Sequence, residues 1–325
     1  MTLARPSRAV QAFRLGRLLA TTLPAPVGRG VAESAAVALS RRPGAADWRR
    51  RRTLLAGHLG RILGPAGPPP GSRAMGRLVD DAVASYARYW AESLHIPGRH
   101  AADLTAGMVY EHYEHILAGR AAGRGTILVL PHLGGWEWAG AHLAAVGHPV
   151  SVVAERLEPP DLFDWFTSFR ESLGMRVIPA GPGASAACVG ALRENHILCL
   201  LADRVVEGVA GVEVDFFGER TVLPAGPATL ALRTGAVILP CAVLFQPRTD
   251  HHLGVVRPPL DTARRGGLRA DVGRITGDMA GAFEGLIRLA PTQWHMLQPN
   301  WPSDLRTGDG PGEMIGDATG SDGRE

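Results

Sequence analysis

The chain contains no lysine, so all 34 of its Lys-plus-Arg positions are arginine. A Gly-x-x-x-x-Gly-Lys phosphate loop is therefore excluded. Only three cysteines occur, Cys188, Cys199 and Cys241, and they form no CxxC pair. That spacing argues against a zinc site or a disulfide framework. Cys199 in "HILCLLAD" and Cys241 in "VILPCAVLF" fit small core residues of a reducing compartment. No Gly-x-Ser-x-Gly elbow is present, which disfavours a serine hydrolase. His142, His148, His251 and His252 lack metal-ligand spacing; no metal and no cofactor are expected. No apolar run reaches the roughly eighteen residues a bilayer-crossing helix needs. "FRLGRLLATTLPAP" carries arginines inside its apolar stretch and shows no cleavage site, unlike a signal peptide. The expected placement is the cytoplasmic side, with at most a peripheral membrane contact.

What is present is a 325-residue chain with a hydrophobic fraction of 46%, enough for one sizeable core and a smaller helical part. The net charge is only +3, but it is unevenly spread. Between Met1 and Gly76 the acids are Glu33 and Asp47 alone, against a long series of arginines. Such a start suits an anionic surface, membrane or nucleic acid, or else a solvated helical face. Residues 9–21, 45–62 and 75–94 have helical periodicity, and "GPAGPPPGSR" at 64–73 breaks it. On the third pattern Leu78, Val79, Ala82, Val83, Tyr86, Tyr89 and Trp90 share a face.

After about residue 100 short apolar runs alternate with helical segments. The runs are 126–131, 150–155, 175–180, 196–203, 236–246 and 251–257. Helical segments are expected at 136–146, 160–173, 184–195, 225–234 and 271–289. The alternation predicts an α/β fold with a mixed, largely parallel central sheet flanked by helices, and a mostly helical N-terminal region. The expected organisation is a basic, membrane-apposed helical region over 1–100, an α/β core over 101–303, and a Gly- and Asp-rich disordered tail over 304–325.

"VLPHLGGWEWAG" places His132 just past a strand that Pro131 ends. Ligands of open α/β sheets bind at such carboxyl ends. Gly134 and Gly135 permit a tight turn, and their N–H groups can face an anion at the next helix's start. Glu137, in the first helical turn, can accept a bond from the imidazole and leave its other nitrogen free as a base. This pair supplies a base and an orienter but no nucleophile, so a substrate hydroxyl must attack. A strand-end histidine with a helix-capping glutamate is the bland alternative.

The same stretch resembles the first motif of the lysophospholipid acyltransferase superfamily, a histidine followed by an acid; Glu137 stands where that family usually has aspartate. It is most similar to the lipid A lauroyl/myristoyl acyltransferase branch and the phosphatidylinositol mannoside acyltransferases within it. "SYARYW" at 85–90, the block at 200–236 and "PTQWHMLQPNW" at 291–301 resemble further motifs of that branch, in order. "ADR…GVEVDFFGE" and "QWHMLQPNW" resemble the mannoside versions. The resemblance implies a long-chain acyl-coenzyme A as co-substrate, a phosphatidylinositol mannoside or related glycolipid as acceptor, and an anionic membrane surface rather than nucleic acid as partner. It also implies a second functional acid, best matched by Glu213, with Glu207 and Asp215 as competitors. By the resemblance the strand end of Asp203 and Arg204 lies beside that of the histidine, with Arg204 binding a phosphate or the developing oxyanion; a structural Asp–Arg pair is the alternative. Arg156 and Arg170 flank a helix and can each meet a coenzyme A phosphate, and His295, among Trp294, Gln298 and Trp301, suits a sugar site. Gly181-Pro-Gly183-Ala-Ser-Ala186 fits a dinucleotide fingerprint, but the surrounding layout favours a turn near coenzyme A phosphates. A different glycolipid or lysophospholipid acceptor, a non-catalytic lipid-binding role, and thioesterase activity stay open at this point.

Overall fold

The computed structural model describes residues 7–206, 208–247 and 251–306. Four helices come first: α1 (Arg8–Thr22), α2 (Ala25–Ser40), α3 (Ala46–Leu63) and α4 (Arg73–His95). The Ser72 hydroxyl starts α4 by accepting the N–H of Met75. Met75, Val79, Ala82 and Val83, spaced three and four residues apart, are buried, and so is Tyr89 two turns on, the stripe of an amphipathic helix. Met75, Val79, Ala82 and Val83 pack with Leu55 and Leu59 of α3. The helix α2 was not anticipated, because "AESAAVALS" is alanine-rich and carries little polar–apolar contrast.

The remaining elements alternate. They are α5 (Ala101–Ala106), β1 (Met108–Glu111), α6 (Glu114–Ala121), β2 (Thr126–Leu130), α7 (Trp136–Ala145), β3 (Val150–Ala154), α8 (Pro160–Ser172), β4 (Met175–Pro179), α9 (Ala184–Arg193), β5 (Ile197–Leu201), β6 (Gly211–Phe216), β7 (Glu219–Pro224), α10 (Gly226–Thr234), β8 (Val237–Phe245), β9 (His252–Val256), α11 (Leu268–Ile287) and α12 (Pro302–Arg306). Seven strands form one sheet in the order β1-β9-β8-β2-β5-β3-β4, and β6 and β7 form a separate hairpin. The strands from β8 through β4 run parallel; β9 is antiparallel to β8, and β1 is parallel to β9. The sheet is thus mixed and largely parallel, as expected from the alternation.

Every residue of β2 is buried, as befits a central strand covered on both faces. Ile127 and Val129 point to the core beneath α9, α10 and α11, while Leu128 and Leu130 point to the core beneath α5, α6 and α7. Pro240 lies mid-strand in β8, at the changeover where pairing to β2 ends and pairing to β9 begins. A residue without an N–H is tolerated there because no continuous ladder needs it on both sides. Residues 302–306 are helical, and Asp304, expected to open the tail, is buried. The expected tail from 307 onward lies outside the described residues.

Candidate active site

Register builds the site. In the β2–β5 pair Leu130 lies opposite Leu201, so His132 and Asp203, each two residues further on, leave the sheet side by side. The imidazole Nδ1 is 2.6 Å from Oδ1 of Asp203, and the His132 backbone N–H donates to Oδ2 at 2.8 Å. The indole N–H of Trp294 donates to the same Oδ2 at 2.8 Å. Asp203 is fully buried. Burial alone would raise its pKa, but the His132 charge and hydrogen bond and the Trp294 N–H hold it below the usual carboxylate value. An ionised Asp203 requires the proton of the shared bond to sit on Nδ1, which leaves the Nε2 lone pair free. Among the described residues Nε2 has no hydrogen-bond partner. The side chain is 19% exposed, so the ring is not sealed in.

The expected bond between Glu137 and His132 is not formed. Glu137 starts α7 and its carboxylate turns toward α8, where Arg170 grips it with Nη2 at 2.5 Å and Nε at 3.1 Å. Tyr89 of α4 adds its hydroxyl at 3.4 Å. A guanidinium is always charged and offers two parallel N–H groups, so it outcompetes an imidazole for a buried carboxylate. Arg170 is accordingly half-buried in an ion pair rather than free for a phosphate. Arg204 differs too: it binds Glu155 at 2.6 Å, leaving Asp203 to the histidine. An Asp203–Arg204 pair does not appear in the geometry.

Gly134 and Gly135 do not offer their N–H groups to a ligand. The first donates to the Gln293 carbonyl and the second to the Val243 carbonyl, both at 3.0 Å. Their lack of side chains serves close packing instead. At Gly134, φ is +63°, and a Cβ there would sit 1.9 Å from the Val243 oxygen. The loop after β2 can cross the β8 backbone only because Gly134 is bare, while bare Gly135 makes room for the His252 ring.

Glu213 and Asp215 do share one face of β6, as their alternation with buried or half-buried valines predicts. Both are exposed and face Arg220, at 3.5 and 3.4 Å. Glu213 makes no bond to His132; the carboxylate that does is Asp203. Glu207 lies outside the described residues. Arg156 is exposed and donates to the Ala180 carbonyl at 3.3 Å, over the turn where Gly181 and Gly183 have φ of 110° and 84°. Among the described residues it has no carboxylate partner, and that turn opens α9 as the glycine pattern suggested.

His295 is buried beside the site. Its backbone N–H donates to the His132 carbonyl at 2.8 Å, and Nε2 lies 2.9 Å from the Ser85 hydroxyl. Tyr86, Tyr89 and Trp136 surround the ring, each at a centroid distance of 5.6 Å. Burial, with the neighbouring His132 charge, pushes this imidazole down to about 3. It is therefore neutral and too weak a base to activate Ser85. The thiols are equally inert: burial pushes Cys188 up to about 11 and Cys199 up to about 12. Among the described residues this arrangement, a histidine with an open nitrogen and no activated nucleophile beside it, can serve direct attack by a substrate hydroxyl.

Asp203 and Trp294 are the residues that the geometry joins to His132 and that motif reading does not pair with it. Asp203 was visible as the end of a buried strand, at the same offset past β5 that His132 has past β2. Trp294 was visible only as part of an aromatic cluster.

Known proteins point the same way. A family model for bacterial lipid A biosynthesis acyltransferases matches residues 70–303. A phosphatidylinositol mannoside acyltransferase of Mycolicibacterium smegmatis is 36% identical over 298 residues, covering 90% of this chain and 91% of the relative. One of Mycobacterium tuberculosis (strain CDC 1551 / Oshkosh) is 39% identical over 255 residues, 76% of each chain. With the histidine, its carboxylate and the parallel sheet all inside the matched span, the chain belongs to the bacterial lipid A biosynthesis acyltransferase family.

Proposed function

We propose that the chain transfers a long-chain acyl group from acyl-coenzyme A to a sugar hydroxyl of a phosphatidylinositol mannoside, with His132 as general base and Asp203 as its orienting carboxylate. The acceptor follows from the relatives named for that lipid. The observation that carries the chemistry is the 2.6 Å contact from Nδ1 to a buried carboxylate, with Nε2 unpartnered on a partly exposed ring.

Both substrates bind together. Nε2 takes the proton of the acceptor hydroxyl as its oxygen attacks the thioester carbonyl. The C–O bond forms, the tetrahedral intermediate collapses, and the C–S bond breaks. Coenzyme A leaves as the thiolate and takes up the proton from the imidazolium, restoring the neutral ring. Asp203 steadies the imidazolium while it exists. The inert thiols and the weakly basic His295 support this direct route over an acyl-enzyme. Arg156, above the Gly181–Gly183 turn, is the cation best placed for a coenzyme A phosphate. The partly exposed rings of Tyr86 and Trp136 beside His295 suit the face of a sugar ring.

The working place is the cytoplasmic side of the membrane, as a peripheral protein. No helix of the described residues is long and apolar enough to cross a bilayer. Leu15 and Leu18 of α1, and Val27, Val31 and Leu39 of α2, are 44–61% exposed, an apolar surface suited to lying in the headgroup region. Phe13 of α1 anchors this surface to Trp90 of α4 and Trp165 of α8.

The test is acyl transfer to mannosylated phosphatidylinositol from acyl-coenzyme A, with products read by mass spectrometry. His132→Ala is expected to lose about 10²–10⁴ in rate; near wild-type turnover refutes the mechanism. Transfer to a lysophospholipid in place of the mannoside refutes the acceptor. Flotation with anionic vesicles is expected to weaken in Leu15→Ser/Leu18→Ser/Val27→Ser, and unchanged flotation refutes the membrane surface.

A further inference from the structure

We propose that Trp294 is a positioning residue of the acyl-transfer site, its indole N–H holding the Asp203 carboxylate in the orientation that presents Oδ1 to the His132 ring. This rests on the general-base role of His132 given above.

An aspartate carboxylate rotates about a broad torsion and has two equivalent oxygens. Here the oxygens are made inequivalent. Oδ2 carries two donors, the His132 backbone N–H and the Trp294 indole, each at 2.8 Å. Oδ1 is left for the imidazole at 2.6 Å. An indole N–H only donates, so it cannot take the proton that the dyad handles, as a hydroxyl or an imidazole in its place could. A donor-only partner fixes the carboxylate without joining the proton transfer.

Trp294 is itself immobilised. It is 2% exposed, and His58, Trp301 and Phe216 pack against it at centroid distances of 5.6, 6.0 and 6.2 Å. Its backbone bridges Leu133, and the next residue's N–H reaches the His132 carbonyl. One short segment thus holds the backbone of the base and the side chain of its partner.

The test uses the full chain with Trp294→Phe, and with 3-benzothienylalanine at position 294, which keeps the bicyclic shape but replaces N–H by sulfur. Losing one hydrogen bond to a charged acceptor is expected to lower kcat about tenfold, with KM for both substrates within about twofold. A carboxylate missing a donor binds the shared proton more tightly, so the acid limb of the kcat/KM profile is expected to move to higher pH. Both variants must melt cooperatively; if Trp294→Phe does not fold, the isosteric analogue decides. Wild-type kcat in the analogue overturns the proposal, and so does a rate loss with an unmoved acid limb, which marks a packing role alone. His132→Ala separates the layers. If it stays active, the general-base mechanism fails and Trp294 falls with it. If it is inactive while the Trp294 variants resemble wild type, only the positioning role fails.

Discussion

Asp203→Asn changes one atom type at the centre of the site, and the structure dictates its consequence. The wild-type carboxylate accepts from the His132 backbone N–H, from Trp294 and from the imidazole Nδ1. An asparagine has one oxygen and one NH2 group. The two fixed donors, backbone and indole, claim the oxygen. The NH2 group then faces Nδ1, which must accept a hydrogen bond instead of donating one. The imidazole proton is forced onto Nε2, the nitrogen that should receive the substrate proton. Fold and volume are preserved while the base is presented in the wrong tautomer. Loss of the general base corresponds to about 10²–10⁴ in kcat, or roughly 3–5 kcal/mol of barrier. The assay is release of coenzyme A with saturating acyl-coenzyme A and mannosylated acceptor, paired with 15N NMR of the His132 ring. Turnover within threefold of wild type, or a ring still protonated on Nδ1, refutes the tautomer argument. Glu137→Gln is the control, because its partner is Arg170 and the His132 tautomer should not change.

Two further outcomes follow from the ion pairs. Arg170→Ala leaves the Glu137 carboxylate buried without its cation, and a loss of about 3 kcal/mol in urea unfolding is expected; Arg170→Ala/Glu137→Gln should recover part of it, and no recovery contradicts the pairing. The Asp304 carboxyl would be raised by burial, but His58 and the N–H groups of Asn300 and Trp301 hold it far below its ordinary 3.8. A depressed carboxyl contributes stability that is complete above its unfolded value and lost as pH falls below it. Wild type and Asp304→Asn should therefore differ most near neutral pH and converge as acid unfolding is followed downward from about pH 4; a constant difference across that range contradicts the assignment.

Much of the fold was legible because the elements differ in period. The five-residue apolar run of β2 and the three- and four-residue spacing in α4 announce themselves locally. The two-residue alternation of Glu213 and Asp215 correctly put both on one face. The partners of charged groups were harder to see. His132 and Glu137 are five residues apart and invite pairing, yet Asp203 wins through the parallel register of β2 and β5. Glu137 meets Arg170 across two helices, and Arg204 turns from its neighbour to Glu155. The amides of Gly134 and Gly135 look free to bind an anion in the sequence because nothing local reveals Val243 and Gln293 waiting for those N–H groups. Strand ends give the location of the chemistry; only the register between strands tells which acid serves which base.

The donor that locks Asp203 comes from residue 294, close to the end of the described chain. Synthesis runs from the N-terminus, so β2 and β5 emerge from the ribosome long before that indole does. Until the segment that carries Trp294 and His295 docks, the carboxylate lacks its anchor and the histidine its backbone brace. If Trp294 positions the dyad as proposed, a chain cut short of residue 294 is left with an unanchored carboxylate and is expected to turn over more slowly.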